Sequence, residues 1–141
     1  MKRLFSSKTL LALLALAQIH TARAATIKVI AEGIEETKGS IRLSMFNSEE
    51  GWLKEGIRAE IIEAKAPEIT WEVLGLEPGE YAVSIFHDVD DDGKLNTGAF
   101  GMPTEPYGFS NNARGMFGPA KWKNAKFVVE ESDREIRIKL D

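Results

Sequence analysis

Four aspartates fall within the five residues Asp88 to Asp92, directly after His87 and directly before Gly93. The run Asp88-Val89-Asp90-Asp91-Asp92-Gly93-Lys94-Leu95-Asn96 has the D-x-D-x-D-G spacing of a calcium loop. Calcium takes about six to eight hard oxygens, and carboxylates at alternate positions converge when the chain wraps round an ion. In such a loop the sixth residue is a glycine that permits the turn, the seventh offers its carbonyl and the ninth acts through water. The expected ligands are therefore Asp88, Asp90, Asp92, the Lys94 carbonyl and Asn96, with Asp91 turned to solvent. The twelfth place is Ala99, where the helix-loop-helix calcium motif carries a bidentate glutamate. Glu105 is the later acid that would fold back to complete the shell. The competing account is an acidic Asx turn with no ion, which Asp and Asn form unaided. Repulsion among the adjacent Asp90, Asp91 and Asp92 favours a counter-ion.

His87 has two readings: a catalytic base beside Asp88, or a strand-end histidine hydrogen-bonded to the loop. No G-x-S-x-G nucleophile pattern accompanies it, which favours the second. Ser84 and Ser110 are the hydroxyls available. His87 is the one histidine of residues 25–141, and a lone histidine does not make a His-rich zinc site. Tyr107, Phe109, Trp122 and Trp52 would supply an aromatic platform for a sugar or apolar ligand, with Asn111 and Asn112 as further ligand-binding candidates. Aromatics are more often simply buried.

The elements that position these residues are strands. Ile27, Val29 and Ala31 alternate on one face, as do Ile41, Leu43 and Met45, then Ile57, Ala59 and Ile61. Ile69, Trp71 and Val73 alternate with Glu68, Thr70 and Glu72, and Tyr81, Val83, Ile85 and His87 alternate with Ala82, Ser84 and Phe86. Ala125 to Glu130 and Glu135 to Leu140 read as a last pair with a turn near Ser132-Asp133. No helical period of about ten residues separates these segments, so a βαβ arrangement is excluded. The pattern predicts an all-β chain: a single antiparallel β-sandwich, Ig-like or prealbumin-like, of about seven strands with one long functional loop over residues 87–122. The expected core is Ile41, Leu43, Ile61, Trp71, Val83, Ile85, Val129 and Ile138. Phe100, Tyr107, Phe109, Met116, Phe117 and Trp122 make the loop too apolar for a solvated linker, so it is expected to pack its aromatics on the sandwich.

Residues 1–24 read as an export signal: Lys2, Arg3 and Lys8, an apolar run from Thr9 to Ala17, then the small-x-small triad Ala22-Arg23-Ala24. The apolar run is about half of the ~20 residues that a spanning helix needs, and no later segment is long and apolar enough. Residues 25–141, which are 141 less 24 or 117 residues, suit one domain. The expected location is periplasmic or secreted. The chain has no cysteine, which excludes disulfides, thiolate metal sites and cysteine nucleophiles. Losing Lys2, Arg3, Lys8 and Arg23 takes the formal net charge from −4 to −8. So acidic a chain is a poor candidate for nucleic acid or anionic lipid, where Lys and Arg neutralise phosphate, and suits cations.

The runs Leu76-Glu77-Pro78-Gly79-Glu80-Tyr81-Ala82-Val83, Phe86-His87-Asp88, Asp92-Gly93-Lys94, Gly101-Met102-Pro103, Glu105, Tyr107-Gly108-Phe109-Ser110-Asn111-Asn112 and Phe117-Gly118-Pro119 resemble the domain-of-unknown-function family 2141. The resemblance covers about Ile41 to Leu140 and implies a small exported bacterial β-sandwich. The family commonly shows H-D-x-N-x-N-G-K, where this chain has Asp90 and Asp92, a change that keeps oxygen ligands and adds charge. The resemblance implies no activity. The L-x-P-G-x-Y entry is also similar to prealbumin-like and collagen-binding-B-like sandwiches, an analogy that fixes no function. Two functions follow as expectations. The favoured one is an exported non-enzymatic module, calcium-stabilised, that binds a small ligand or an envelope partner through the long loop. The alternative is a metal-assisted hydrolase or lyase using His87 and the acidic cluster. It would need a second polar catalytic group beside His87, and none has a recognisable spacing.

Overall fold

The structure is a computed structural model that describes residues 21–141. Residues 1–20, which hold most of the segment expected to be an export signal, lie outside the described residues. The strands are β1 (Ala25–Glu32), β2 (Ser40–Phe46), β3 (Arg58–Glu63), β4 (Glu68–Leu76), β5 (Gly79–Asp88), β6 (Tyr107–Phe109), β7 (Phe127–Val129) and β8 (Arg134–Lys139), with a one-turn helix α1 (Trp122–Ala125) before β7. They form two sheets, ordered β4-β1-β8 and β3-β2-β5-β6, with β7 also pairing with β5.

Alternation explains why the sheets stack. Successive side chains of a strand point to opposite faces, so one face of each sheet is apolar and must be covered. In the smaller sheet Val29 pairs with Trp71 and Ala31 with Ile69. In the larger, Leu43 pairs with Ile85 and Met45 with Val83. These side chains, with Ile27, Ile41, Val73, Tyr81, Val129 and Ile138, form one buried cluster between the sheets. The L-x-P-G-x-Y run acts here through Tyr81, whose hydroxyl donates to the Glu77 carbonyl at 2.8 Å and ties the turn to the start of β5.

Four features differ from expectation. Among the described residues there are eight strands rather than about seven, because β6 forms inside the long loop and pairs antiparallel with β5. The pairing is not wholly antiparallel: β8 lies parallel to β1. The last two strands are not a hairpin, since β7 joins the larger sheet and β8 the smaller. The link between them crosses the sandwich and delivers β8 beside β1 in the same direction. Finally, Ile61 is not core. The register sets Ile62 against Ile41 and Ile61 against Arg42, so the edge strand presents Ile61 outward at 57% exposure. Ile57 and Ile62 cover the core edge instead.

The long loop forms a second apolar layer on the outer face of the larger sheet. Phe46 and Ala82 of that face are buried with Trp52, Phe109, Ala120, Trp122 and Ala125. Trp52, from the β2–β3 connection, packs edge-on to Phe46 at 5.0 Å and to Trp122 at 6.0 Å between ring centroids, and its Nε1–H donates to the Ala120 carbonyl at 2.8 Å. The packing is partial, however. Phe100, Met116 and Phe117, expected against the sandwich, are 103%, 88% and 98% exposed.

Truncation should separate the two isoleucine environments. Trp71→Ala and Ile85→Ala should each cost about 2–5 kcal/mol in denaturant unfolding. Ile61→Ala should change stability by no more than about 0.5 kcal/mol. A loss at Ile61 equal to that at Ile85 would overturn the β2–β3 register.

Candidate functional site

The acidic loop begins where β5 ends. Neighbouring residues of a strand face opposite ways, so His87 and Asp88 part company. His87 points between the sheets, 1% exposed, and its ring lies 2.7 Å from the Lys38 carbonyl. A carbonyl only accepts, so Nε2 carries the hydrogen. Asp88 points to the other face and is fully buried. The pairing of His87 with Asp88 that a hydrolase would use is therefore not made.

Asp88 is held from three sides. Arg42 of β2 places Nε 2.5 Å from Oδ2, the Gly93 N–H donates to Oδ2 at 2.9 Å, and the Asp92 N–H donates to Oδ1 at 3.1 Å. Gly93 has φ +84°, the left-handed conformation that a side chain disfavours, and this turns its N–H back to Asp88. Burial pushes the Asp88 carboxyl upward. The Arg42 hydrogen bond, the Gly93 N–H, the Arg42 charge and the Asp92 N–H outweigh it and hold the group below the ordinary carboxylate value. Asp88 is thus an ionised, saturated anchor.

The other acids are arranged around it. Asp90 accepts the Asp92 N–H at 3.3 Å and the Asn96 side-chain amide at 2.8 Å. Asp92 accepts the Lys94 N–H at 2.8 Å. Asp91, expected to face only solvent, is exposed but accepts the Ser40 hydroxyl at 2.7 Å. Glu105 folds back. A bridge between Thr97 and Pro103 and a bond from the Thr104 N–H to the Asn96 carbonyl return the chain. Glu105, 8% exposed, then takes the Val89 and Asn96 N–H groups, each at 2.9 Å.

Asp88, Asp90 and Glu105 each bring one carboxylate oxygen to within 4.8 Å of the others. Asp92 does not join them. The donors are of the hard type that calcium accepts, but three is half or less of its usual shell of about six to eight. Arg42 already supplies a positive charge at Asp88. The set fits a cation in chemistry and falls short in number.

The ligand-binding candidates have structural tasks. Phe109, Trp122 and Trp52 are buried in the second layer and offer no open platform, and Tyr107 is half-buried against it. Asn111 donates to the Asn124 and Lys126 carbonyls, and Asn112 accepts the Lys139 N–H. Ser110, buried at 1%, accepts the Val83 N–H at 2.9 Å and donates to the Ala125 carbonyl at 2.5 Å. Arg42 and Trp52's anchoring bond were not found in sequence. Neither has a local signal, because their partners lie 46 and 68 residues away.

The model of a bacterial family, described as an uncharacterized protein conserved in bacteria (DUF2141), matches residues 29–137. No curated protein matches the chain, and no solved structure does.

The Asp88 anchor fixes a pH dependence. Its folded-state pKa lies below the unfolded value of about 3.9, so its contribution is complete above that pH and is lost as pH falls through the folded-state value. The thermal midpoint should therefore drop below about pH 4. Asp88→Asn should lower stability at neutral pH by about 2 kcal/mol and make the acid-side drop shallower. An acid limb identical in wild type and variant would overturn the assignment.

Proposed function

The chain belongs to that bacterial family, and with this as the premise we propose that it is an exported, non-enzymatic β-sandwich module whose long loop is its contact surface. The observation that carries the proposal is how the polar groups of the loop region are used. His87, Asp88, Glu105 and Ser110 are buried, and each is bonded to backbone or to a fixed partner. They hold the loop in shape. Among the side chains left open are four large apolar ones: Phe100, Met102, Met116 and Phe117 project from it. Exposed apolar side chains gathered on one loop mark contact rather than chemistry. The partner on this proposal is an envelope component or a small ligand. The loop has the rigidity for that role, since both of its halves are tied to the sheet by hydrogen bonds, at Asp88 and at Val83.

A second reading adds calcium as a stabiliser of the acidic half. What favours it is the return of Glu105 to Asp88 and Asp90. The affinity would be modest, on the order of 10⁻⁴–10⁻³ M, as in extracellular modules.

Two measurements test these readings. The intact mass of chain recovered outside the cytoplasm should correspond to a start at Ala25; material retaining residues 1–24 in the membrane fraction would remove the export reading. Thermal unfolding with calcium at about ten times its dissociation constant should show about 1.4 kcal/mol of stabilisation that chelator abolishes and that Asp90→Ala lacks. An unchanged midpoint with millimolar calcium would leave the loop as a self-sufficient acidic turn.

A further inference from the structure

The charge of this chain is segregated. From Pro106 to Val129 there is no Asp or Glu, while Arg114, Lys121, Lys123 and Lys126 all fall in that stretch. The rest of residues 25–141 carries every acid. Arg114 pairs with Asp141 and Lys126 with Glu80. Lys121 and Lys123 have no ion pair among the described residues, and both are exposed. Between Arg114 and Lys121 the chain makes a tight turn. A Cβ on Gly115 would lie 1.8 Å from the Gly118 carbonyl oxygen, so the turn closes on its own backbone and has no interior. Met116 and Phe117 are thereby pushed outward, 88% and 98% exposed. The base of the turn is held firmly. Trp52 bonds the Ala120 carbonyl, Trp122 is buried beside it, and Asn111 ties down the Asn124 and Lys126 carbonyls. The result is a fixed apolar tip between cations.

The geometry points to an anionic lipid surface as the partner of this tip. Phe117 and Met116 would enter the boundary between headgroups and acyl chains while Lys121 and Lys123 remain at the phosphates, the division of labour of interfacial anchors. The whole-chain charge, which disfavours anionic lipid, does not decide the matter. At physiological salt a charge is screened beyond about 8 Å, so acids farther than that from the tip weigh little against Lys121 and Lys123, while Asp141 and Glu80 are each already paired with a cation. The other apolar tip, at Phe100 and Met102, follows the acidic run Asp90–Asp92 and has the wrong charge for this surface. With two free cations and two apolar side chains, binding is shallow and reversible. The inference deepens the contact-loop proposal and rests on it.

The eight strands of the described residues lie within Ala25–Lys139, so residues 25–141 carry the described fold and serve for the test. With chelator present, this chain should co-sediment with vesicles of equal parts phosphatidylglycerol and phosphatidylcholine, and not with phosphatidylcholine alone. Phe117→Ser should weaken partitioning about tenfold, the scale of one buried aromatic side chain. Lys121→Gln with Lys123→Gln should weaken it and remove most of the loss seen on raising salt. Both variants alter exposed side chains and should keep the wild-type thermal midpoint. Wild-type protein left in the supernatant, or Phe117→Ser sedimenting like wild type, would overturn the inference. If vesicles fail but a photo-crosslinker at Met116 captures an envelope protein, lipid is wrong and the contact loop survives. If both fail, the contact-loop proposal falls as well.

Discussion

Strand β5 is covered on both faces, and the rest of the molecule follows from that constraint. One face, with Tyr81, Val83, Ile85 and His87, closes the core between the sheets. The other is buried at Ala82, under the aromatic layer, and at Asp88, under the acidic loop, with Ser84 and Phe86 half-buried between them. A strand buried on both sides has no water to satisfy its polar atoms, so each one it carries needs a partner in the protein. Ser110 fills the gap between β6 and β7 by accepting the Val83 N–H, Lys38 supplies a carbonyl to His87, and Arg42 with two loop amides serves Asp88. None of the buried side-chain polar atoms among the described residues lacks a partner. The long loop is thus a third layer on one end of a two-sheet sandwich.

This double burial decides what the sequence could disclose. Alternation over Ile41 to Met45, Ile69 to Val73 and Tyr81 to Ile85 is a local signal, and these segments are strands with the expected face inward. The return of Glu105 was also legible, because an acidic loop short of an acid calls for one nearby. Ile61 was not. Alternation tells which residues share a face, and the pairing partner decides which face is inside. Register with β2 turned Ile61 out and brought Ile62 and Ile57 in. The parallel return of β8 was hidden for a related reason, since a four-residue turn signal does not reveal that the chain is changing sheets. Arg42 alternates with Ser40 and Ser44 like any solvent-facing residue, and only the tertiary fold sets Asp88 beside it.

Composition misleads in the same way when it is averaged. A formal charge of −8 over residues 25–141 describes no single surface, because the acids avoid the stretch from Pro106 to Val129 entirely. Likewise, the aromatics of the loop are not one population. Phe109 and Trp122 are structural and fill the second layer, whereas Phe100 and Phe117 take up solvent-facing positions on tight turns. Identical residue types in one loop therefore divide by backbone conformation. Phe100 itself has φ +60°, in the region that side chains rarely occupy, and the closed turn of Gly115 and Gly118 leaves no room for Phe117 to fold inward.

The acidic run has more than one way to stabilise its carboxylates. A carboxylate can be stabilised by a metal, by a guanidinium or by amide N–H groups, and all three compete for the same oxygens. In this loop the amides and Arg42 have the better claim. Asp88 gives both oxygens to them, Glu105 gives one to each of two amides, and Asp92 caps Lys94. A cation arriving at Asp88, Asp90 and Glu105 would have to share those oxygens and tolerate the Arg42 charge nearby. Its gain would come chiefly from Asp90, the exposed member of the three. The amide and guanidinium hydrogen bonds thus engage the same oxygens that a cation at this site would use.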